Sequence, residues 1–332
     1  MATLKEIADK LNVSITTVSR VLNFDTTLSV GDDIRKKIIE TATDMNYKTP
    51  RNRMRLKSRT KLDIAVIHWY SSSEEVDDPY YIQIRRGIEQ LSAKSNINTV
   101  LIYKEADGYQ IDDFEGVQGI ICIGKFSNEQ IELFQRVSNN IVFVDSSPNE
   151  EVFDSVVIDF HTAVRDILTH LVNQGYRKIG YIGGVEYIGN NVRLGERREL
   201  VFRDFLFQRG KLDTDYIHVG KFSCESGYNL MKEALKQEKR AEVYFCASDS
   251  IAIGALRAIH EAGLQIPRDI GITGFNDNPM SQYTYPPLST VHVYTEFMGE
   301  QALGSLVERI EGRDLPIKKV VPTKIILRDT LK

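Results

Sequence analysis

Hydrophobic residues recur with two different periods along this chain, and the change of period divides it. Near the start Leu4, Ile7, Ala8 and Leu11 fall at i, i+3, i+4 and i+7, one face of a short helix. Thr3 followed by Glu6 is a capping box that begins it. Asn12-Val13 interrupts, Ser14 caps a second helix, and Val18, Val21 and Leu22 make its buried side. Ser29 with Asp32 starts a third helix whose apolar face is Ile34, Ile38, Ala42 and Met45. Two short helices around a tight turn, closed by a third, predict a helix-turn-helix, whose second helix enters the DNA major groove. Its outward residues are Ile15, Thr16, Thr17, Ser19 and Arg20. Arginine matches a guanine edge, and Thr and Ser hydroxyls suit phosphates or bases. A small helical bundle with no DNA role would show the same stripes and caps, so the pattern alone leaves both readings open.

From Leu62 onward short β-branched runs alternate with amphipathic stretches. Strands are predicted at 63–68, 98–103, 119–123, 141–144, 155–158, 178–182, 216–219, 242–246, 269–273 and 324–328. Helices are predicted at 80–94, 128–137, 162–173, 197–208, 226–236, 250–261 and 295–311. This alternation means an α/β class with parallel sheets, and the length suggests two sheet domains. Ligands in such folds bind at the carboxyl ends of strands, here most simply in the cleft between two lobes.

Charge sharpens the division. The formal net charge of −4 conceals a net +6 on residues 1–61 and −10 on the remainder. Between Lys48 and Lys61 stand Lys48, Arg51, Arg53, Arg55, Lys57, Arg59 and Lys61 with no acidic residue. A basic head on an acidic body is the distribution of a polyanion reader joined to a neutral-ligand domain, although a solvated basic linker would look alike. Enzyme signals are missing. Gly180-Tyr181-Ile182-Gly183-Gly184 lacks the spacing of a dinucleotide loop, and there is neither a P-loop nor a nucleophile elbow. The six histidines and three cysteines have no metal-ligand spacing. No catalytic residue, cofactor or metal is therefore expected. No apolar run is long enough for a membrane and no apolar leader opens the chain, so a cytoplasmic protein is expected.

The head motif is specific. Thr3-Leu4-Lys5-Glu6-Ile7-Ala8, Val13-Ser14 and Thr17-Val18-Ser19-Arg20-Val21-Leu22-Asn23 resemble the N-terminal signature of the LacI/GalR family of bacterial repressors. That resemblance implies base-reading by Ile15, Thr16 and Arg20, and backbone contacts from Thr3, Ser14, Thr17 and Asn23. It further implies a hinge helix whose minor-groove leucine is Leu56. This hinge departs from the usual pattern at Pro50, Arg53 and Met54, and the extra charge of Arg53 should strengthen phosphate binding. The tail ends at Lys332 without a leucine heptad, so a homodimer is expected rather than a tetramer.

The likeness continues through the body, at 245–258 and 286–291, and Asp78-Pro79-Tyr80-Tyr81 is similar to the galactose-operon and evolved β-galactosidase repressors of the family. It implies a two-lobed, periplasmic-binding-protein-like core and partners in operator DNA and a small sugar, of the galactose or β-galactoside class. The expected boundaries are 1–48 for the head and 49–61 for the hinge. One subdomain would take 62–160 plus 293–320, and the other 161–292 plus 321–332. Carried over residue by residue, the sugar contacts are Asp145, Arg198, Ser248, Asp249, Asn276 and Asp277. Tyr80 and Phe222, with Trp69 and Tyr70, are candidate aromatic faces for a sugar ring. An aspartate between a strand and a helix is also a common cap, and Asp249 fits both roles. The rival class is a two-lobed solute-binding protein that senses a sugar without regulating DNA.

Overall fold

A computed structural model describes residues 4–11, 13–22, 30–31, 34–38 and 41, and residues 62–332 apart from 72–77, 106–107, 111–113, 115 and 189–191. The chain divides into two compact units, Met1–Lys61 and Leu62–Lys332. In the first, α1 (Leu4–Leu11) and α2 (Ile15–Leu22) stand where the hydrophobic stripes place them. Ser14 Oγ accepts from the Thr17 N–H at 3.0 Å, satisfying one of the donors that a helix start leaves orphaned. Ile7, Ala8, Val18, Val21 and Ile38 form a small core, with Leu4, Leu11, Val13 and Leu22 packed on it. Residues 34–38 are helical. Ile38 is fully buried, but Ile34, expected on the same apolar face, is 43% exposed. It sits in the first turn of that helix, one turn short of the core that α1 and α2 cover. Thr3, Asn23, Ala42, Met45 and the hinge at 49–61, with Arg53 and Leu56, lie outside the described residues.

The second unit holds two parallel sheets. β1 (Leu62–His68), β2 (Ile97–Ile102), β3 (Gly119–Ile123), β4 (Ile141–Val144), β5 (Asp154–Ile158) and β13 (Lys318–Val321) are ordered β13-β5-β4-β3-β1-β2. β6 (Ile179–Gly184), β9 (Ile217–Gly220), β10 (Val243–Cys246) and β11 (Gly271–Thr273) are ordered β11-β10-β6-β9. Every residue of β3, β4, β5, β6 and β10 is buried, which is why these strands read as apolar runs instead of alternating. The covering helices are α3 (Tyr80–Ser95), α4 (Asn128–Val137), α5 (Phe160–Asn173), α6 (Arg197–Phe207), α7 (Cys224–Lys236), α8 (Asp249–Glu261) and α9 (Thr295–Ile310).

Three helices begin earlier than predicted. The caps of α5, α7 and α8 are Asp159, Ser223 and Ser248, whose side chains accept from the N–H groups of Thr162, Ser226 and Ile251. Thr162 and Ser226, taken as starts, are the donors that their caps satisfy. Short strands escaped the pattern altogether. The hairpin of β7 (Glu186–Ile188) with β8 (Val192–Leu194) is too brief to show a period, and β12 (Thr290–Val293) and the largely exposed β13, with Lys318-Lys319, lack an uninterrupted apolar run. β12 pairs antiparallel with β14 (Thr323–Ile326), making the ribbon that crosses between the lobes. α7 and α8 touch backbone to backbone at Gly254, where an added Cβ would stand 1.8 Å from the Cys224 carbonyl oxygen.

Candidate functional site

Parallel strands bring their carboxyl ends to one edge of each sheet, and there the second unit has a narrow cavity of about 20 Å³. Its lining is Tyr70, Asp78, Tyr80, Tyr81, Asp145, Phe160, Glu186, Arg198, Phe222 and Asn276. Tyr70, Asp145 and Phe160 follow β1, β4 and β5 in one lobe. Glu186, Phe222 and Asn276 follow β6, β9 and β11 in the other.

Asp145 carries the centre of the first wall. It is buried and has φ of 68°, left-handed backbone that aspartate tolerates better than most residues and that clusters at functional sites. Tyr80 donates to its Oδ1 at 3.0 Å and Tyr81 to its Oδ2 at 2.9 Å, so the start of α3 presents two phenols to one carboxylate. Burial, then the Asp145 charge beside them, raises both phenol pKa values well above the ordinary tyrosine value, so they stay donors. Each carboxylate oxygen keeps a further acceptor site for a ligand hydroxyl.

The second wall is built on Arg198. Its Nε donates to Glu196 Oε1 at 2.6 Å and its Nη1 to the Ala247 carbonyl at 2.7 Å. Three aromatic rings, Phe160, Phe222 and Phe275, lie 5.1 to 5.4 Å from the guanidinium carbon. Burial opposes the charge, but Glu196, Tyr181 and Glu186 outweigh it and raise the arginine pKa. Burial likewise opposes the Glu196 charge, and Arg198, Tyr181 and the Glu199 N–H overcome it and lower that carboxyl. The pair is thus a fixed, ionised fixture, with Arg198 Nη2 donating to no described residue. Asn276, with φ of 107°, anchors its backbone on Val291 and adds an amide that can both donate and accept.

Of the residues predicted to touch a sugar, Tyr80, Asp145, Arg198, Phe222 and Asn276 line this cavity together. Ser248, Asp249 and Asp277 do not. Ser248 is fully buried and spends its hydroxyl on capping α8. Asp249 is not that cap: its Oδ1 accepts from Thr290 Oγ1 at 2.6 Å and its Oδ2 from the Asn278 N–H at 2.5 Å. It ties the α8 start to the crossover ribbon, and burial pushes its pKa up to about 7. Asp277 holds Arg328 at 2.7 Å and His292 at 2.9 Å, joining the β12 and β14 sides of that ribbon. The motif brought these residues to the right strand ends, but Asp249 and Asp277 turn to the ribbon behind the cavity and Ser248 to the start of α8.

Asp78, Tyr81, Phe160 and Glu186 line the cavity without having been predicted as contacts, and Tyr70 stood only as a candidate aromatic face. Tyr81 adjoins Tyr80 in a motif already recognised. Phe160 stands two residues past a strand end, a position that any search of strand ends would reach. Glu186 carries no motif at all. Trp69 stacks on Tyr70 with ring centroids 4.7 Å apart. On the head, Ser14, Ile15 and Thr16 are exposed and Thr17 and Arg20 half-buried, so α2 turns this row of side chains away from its core. Among the described residues no group of histidine, cysteine or carboxylate side chains could hold a metal ion, and no helix is long and apolar enough to cross a membrane.

Comparison with known proteins agrees with this division. Residues 3–50 match the model of bacterial regulatory proteins of the lacI family, and residues 168–331 that of a periplasmic binding protein-like domain. The transcriptional regulator GalR of Streptococcus thermophilus is 38% identical over 100% of both chains. The repressor MelR of Bacillus subtilis is 36% identical over 99% of this chain and 97% of its own. Among solved structures, the regulator CelR in complex with cellobiose superposes with a TM-score of 0.69 at 24% identity over 99% of this chain and 100% of its own. A lac repressor dimer bound to operator and an anti-inducer gives a TM-score of 0.70 at 22% identity over 99% and 98%. With full-length relatives that are transcriptional regulators and not enzymes, and with a helix-turn-helix head before a two-lobed parallel α/β core, the chain belongs to the lacI family of bacterial regulatory proteins.

Proposed function

We propose that this regulator is a homodimeric repressor of a galactose or β-galactoside utilisation operon, released from its operator by a sugar of that class. The observation that carries the reading is the cavity wall. A carboxylate held by two phenols faces an arginine locked to a glutamate, with an amide and aromatic rings between them. Carboxylates and amides pair with vicinal hydroxyls, an arginine fork donates to them, and aromatic faces cover the apolar side of a sugar ring. Relatives named GalR, MelR and GanR support the galactoside class. Ile15, Thr16 and Arg20 would read bases. Thr3, Ser14, Thr17, Asn23 and Arg53 would hold the backbone, and Leu56 would wedge the minor groove. The sheets support placing 62–160 and 293–320 in one lobe and 161–292 and 321–332 in the other.

Sugar and operator would then be coupled ligands, each weakening the other by the same factor, within the usual range of roughly 1–3 kcal/mol. A gel-shift with the gene's own upstream DNA at fixed salt, titrated with galactose, lactose and allolactose, tests this. Release by at least one sugar is expected. Absence of a specific shift would remove the repressor reading, and indifference to all three sugars would remove the galactoside assignment.

A further inference from the structure

Glu186 is the cavity residue without a motif, and its surroundings give it a role. It opens β7 immediately after β6, in the four-stranded lobe. Lys125, two residues past the end of β3, belongs to the six-stranded lobe. Lys125 Nζ contacts Glu186 Oε2, so an ion pair joins the two lobes across the cavity. Only 19% of the lysine side chain and 5% of the glutamate side chain remain exposed. A pair this far from water is weakly screened and is costly to leave half-broken.

Two further contacts connect the pair to the ligand space. The Lys125 ammonium stands 5.3 Å from the centre of the Trp69 ring, and Trp69 stacks on cavity-lining Tyr70. Trp69 is itself seated on Gly124, whose φ is +104° and where an added Cβ would stand 2.1 Å from the indole. Glu186 meanwhile lines the cavity, and its Oε1 takes no bond from any described residue. One carboxylate therefore faces a lysine of the opposite lobe through one oxygen and has the other available to a ligand.

We propose that Glu186 is an effector-contacting residue positioned by Lys125, so that lobe closure and effector recognition share one ion pair. This rests on the sugar-effector reading for its ligand, but the ion pair is testable without one. When the lobes part, Glu186 loses its counter-charge and its aim. When they close, Lys125 holds Oε2 and leaves Oε1 to accept a sugar hydroxyl. Lys125 acts through Glu186 and is a positioning residue, not a ligand contact.

Trp69, the single tryptophan of the chain, reports on this directly. The full-length protein, its Lys125→Met and Glu186→Gln variants and the double variant are compared by tryptophan emission, first without sugar at low and high salt. Expected is a red shift in both single variants, because water reaches the indole when the pair is broken, with circular dichroism unchanged. High salt should leave the wild type nearly unmoved, because the buried pair is weakly screened. Variants whose emission matches the wild type overturn the latch. Galactose is then titrated. Glu186→Gln should bind roughly tenfold more weakly or worse, the loss of one hydrogen bond to a charged group. Lys125→Met should lose less, and the double variant no more than Glu186→Gln alone. Losses that multiply independently, or a Glu186→Gln variant that binds as tightly as wild type, overturn the shared role. A wild type that ignores galactose counts against the galactoside reading, and the sugar-free arm still decides the latch.

Discussion

Arg198→Met is the most informative single change. The guanidinium is buried, donates to Glu196 and the Ala247 carbonyl, and sits among three rings. Methionine keeps most of the volume and removes the charge. Glu196, whose side chain is 3% exposed, would then retain only the Tyr181 hydroxyl at 2.8 Å and the Glu199 N–H at 2.9 Å. A buried carboxylate deprived of its cation costs about 3–5 kcal/mol. Removing both partners in Arg198→Met with Glu196→Gln leaves no uncompensated charge, and the deficit should shrink to about 1–2 kcal/mol. Glutamine still accepts from Tyr181 and Glu199. The sign of the pH response follows. In the single variant burial lifts the Glu196 pKa above its unfolded value, so the folded state binds the extra proton. The deficit relative to wild type should therefore diminish as pH falls from 7 toward about 4. Urea unfolding followed by circular dichroism measures both quantities, and a gel-shift with sugar measures response. Both variants should hold operator at sugar levels that release wild type. A double variant as unstable as the single one, or a deficit that grows at low pH, would refute the orphaned-carboxylate reasoning.

Other expectations follow from the same contacts. Gly254→Ala places a Cβ against the Cys224 carbonyl oxygen and forces α7 from α8, lowering stability by about 3 kcal/mol or more in thermal melts; an unchanged melting temperature would mean the helices separate freely. Tyr81→Phe deprives Asp145 Oδ2 of its donor and should cost about 1–2 kcal/mol in unfolding and weaken galactose binding by calorimetry. Wild-type values in both assays would mean that Asp145 draws its donors from water. Burial, with Arg85 adding, lowers the His68 pKa to about 3, so the unfolded chain binds a proton that the folded chain refuses between about pH 6.5 and 3. His68→Phe should remove about 3 kcal/mol of the stability loss between pH 7 and 4; an identical acid slope would rule the residue out. Arg20→Ala should relax preference at one operator position by about 1–3 kcal/mol while leaving the salt slope nearly intact. A uniform loss across operator variants would reassign it to phosphate.

Much of this was legible beforehand. Fully buried parallel strands announce themselves because both faces are covered, and Ile141–Val144 and Gly119–Ile123 appear where their apolar runs lie. The caps are legible because serine and aspartate side chains act within three residues of their own position, as Ser14 does. Tyr80 and Asp145 were each named as contacts, yet nothing in the order of residues says that they bond to one another across 65 positions.

What local patterning dictates, then, is each element and the strand end at which a polar residue will emerge. The direction of a side chain at that end depends on what packs behind it. Asp145 faces the cavity because α3 brings two phenols to it, whereas Asp249, Asp277 and Ser248 turn to the crossover ribbon and the α8 cap. A buried carboxylate goes where donors meet it, and those donors come from segments far away in the chain. Glu186 shows the same rule without any motif: it has a role only because folding sets Lys125 of the opposite lobe against it.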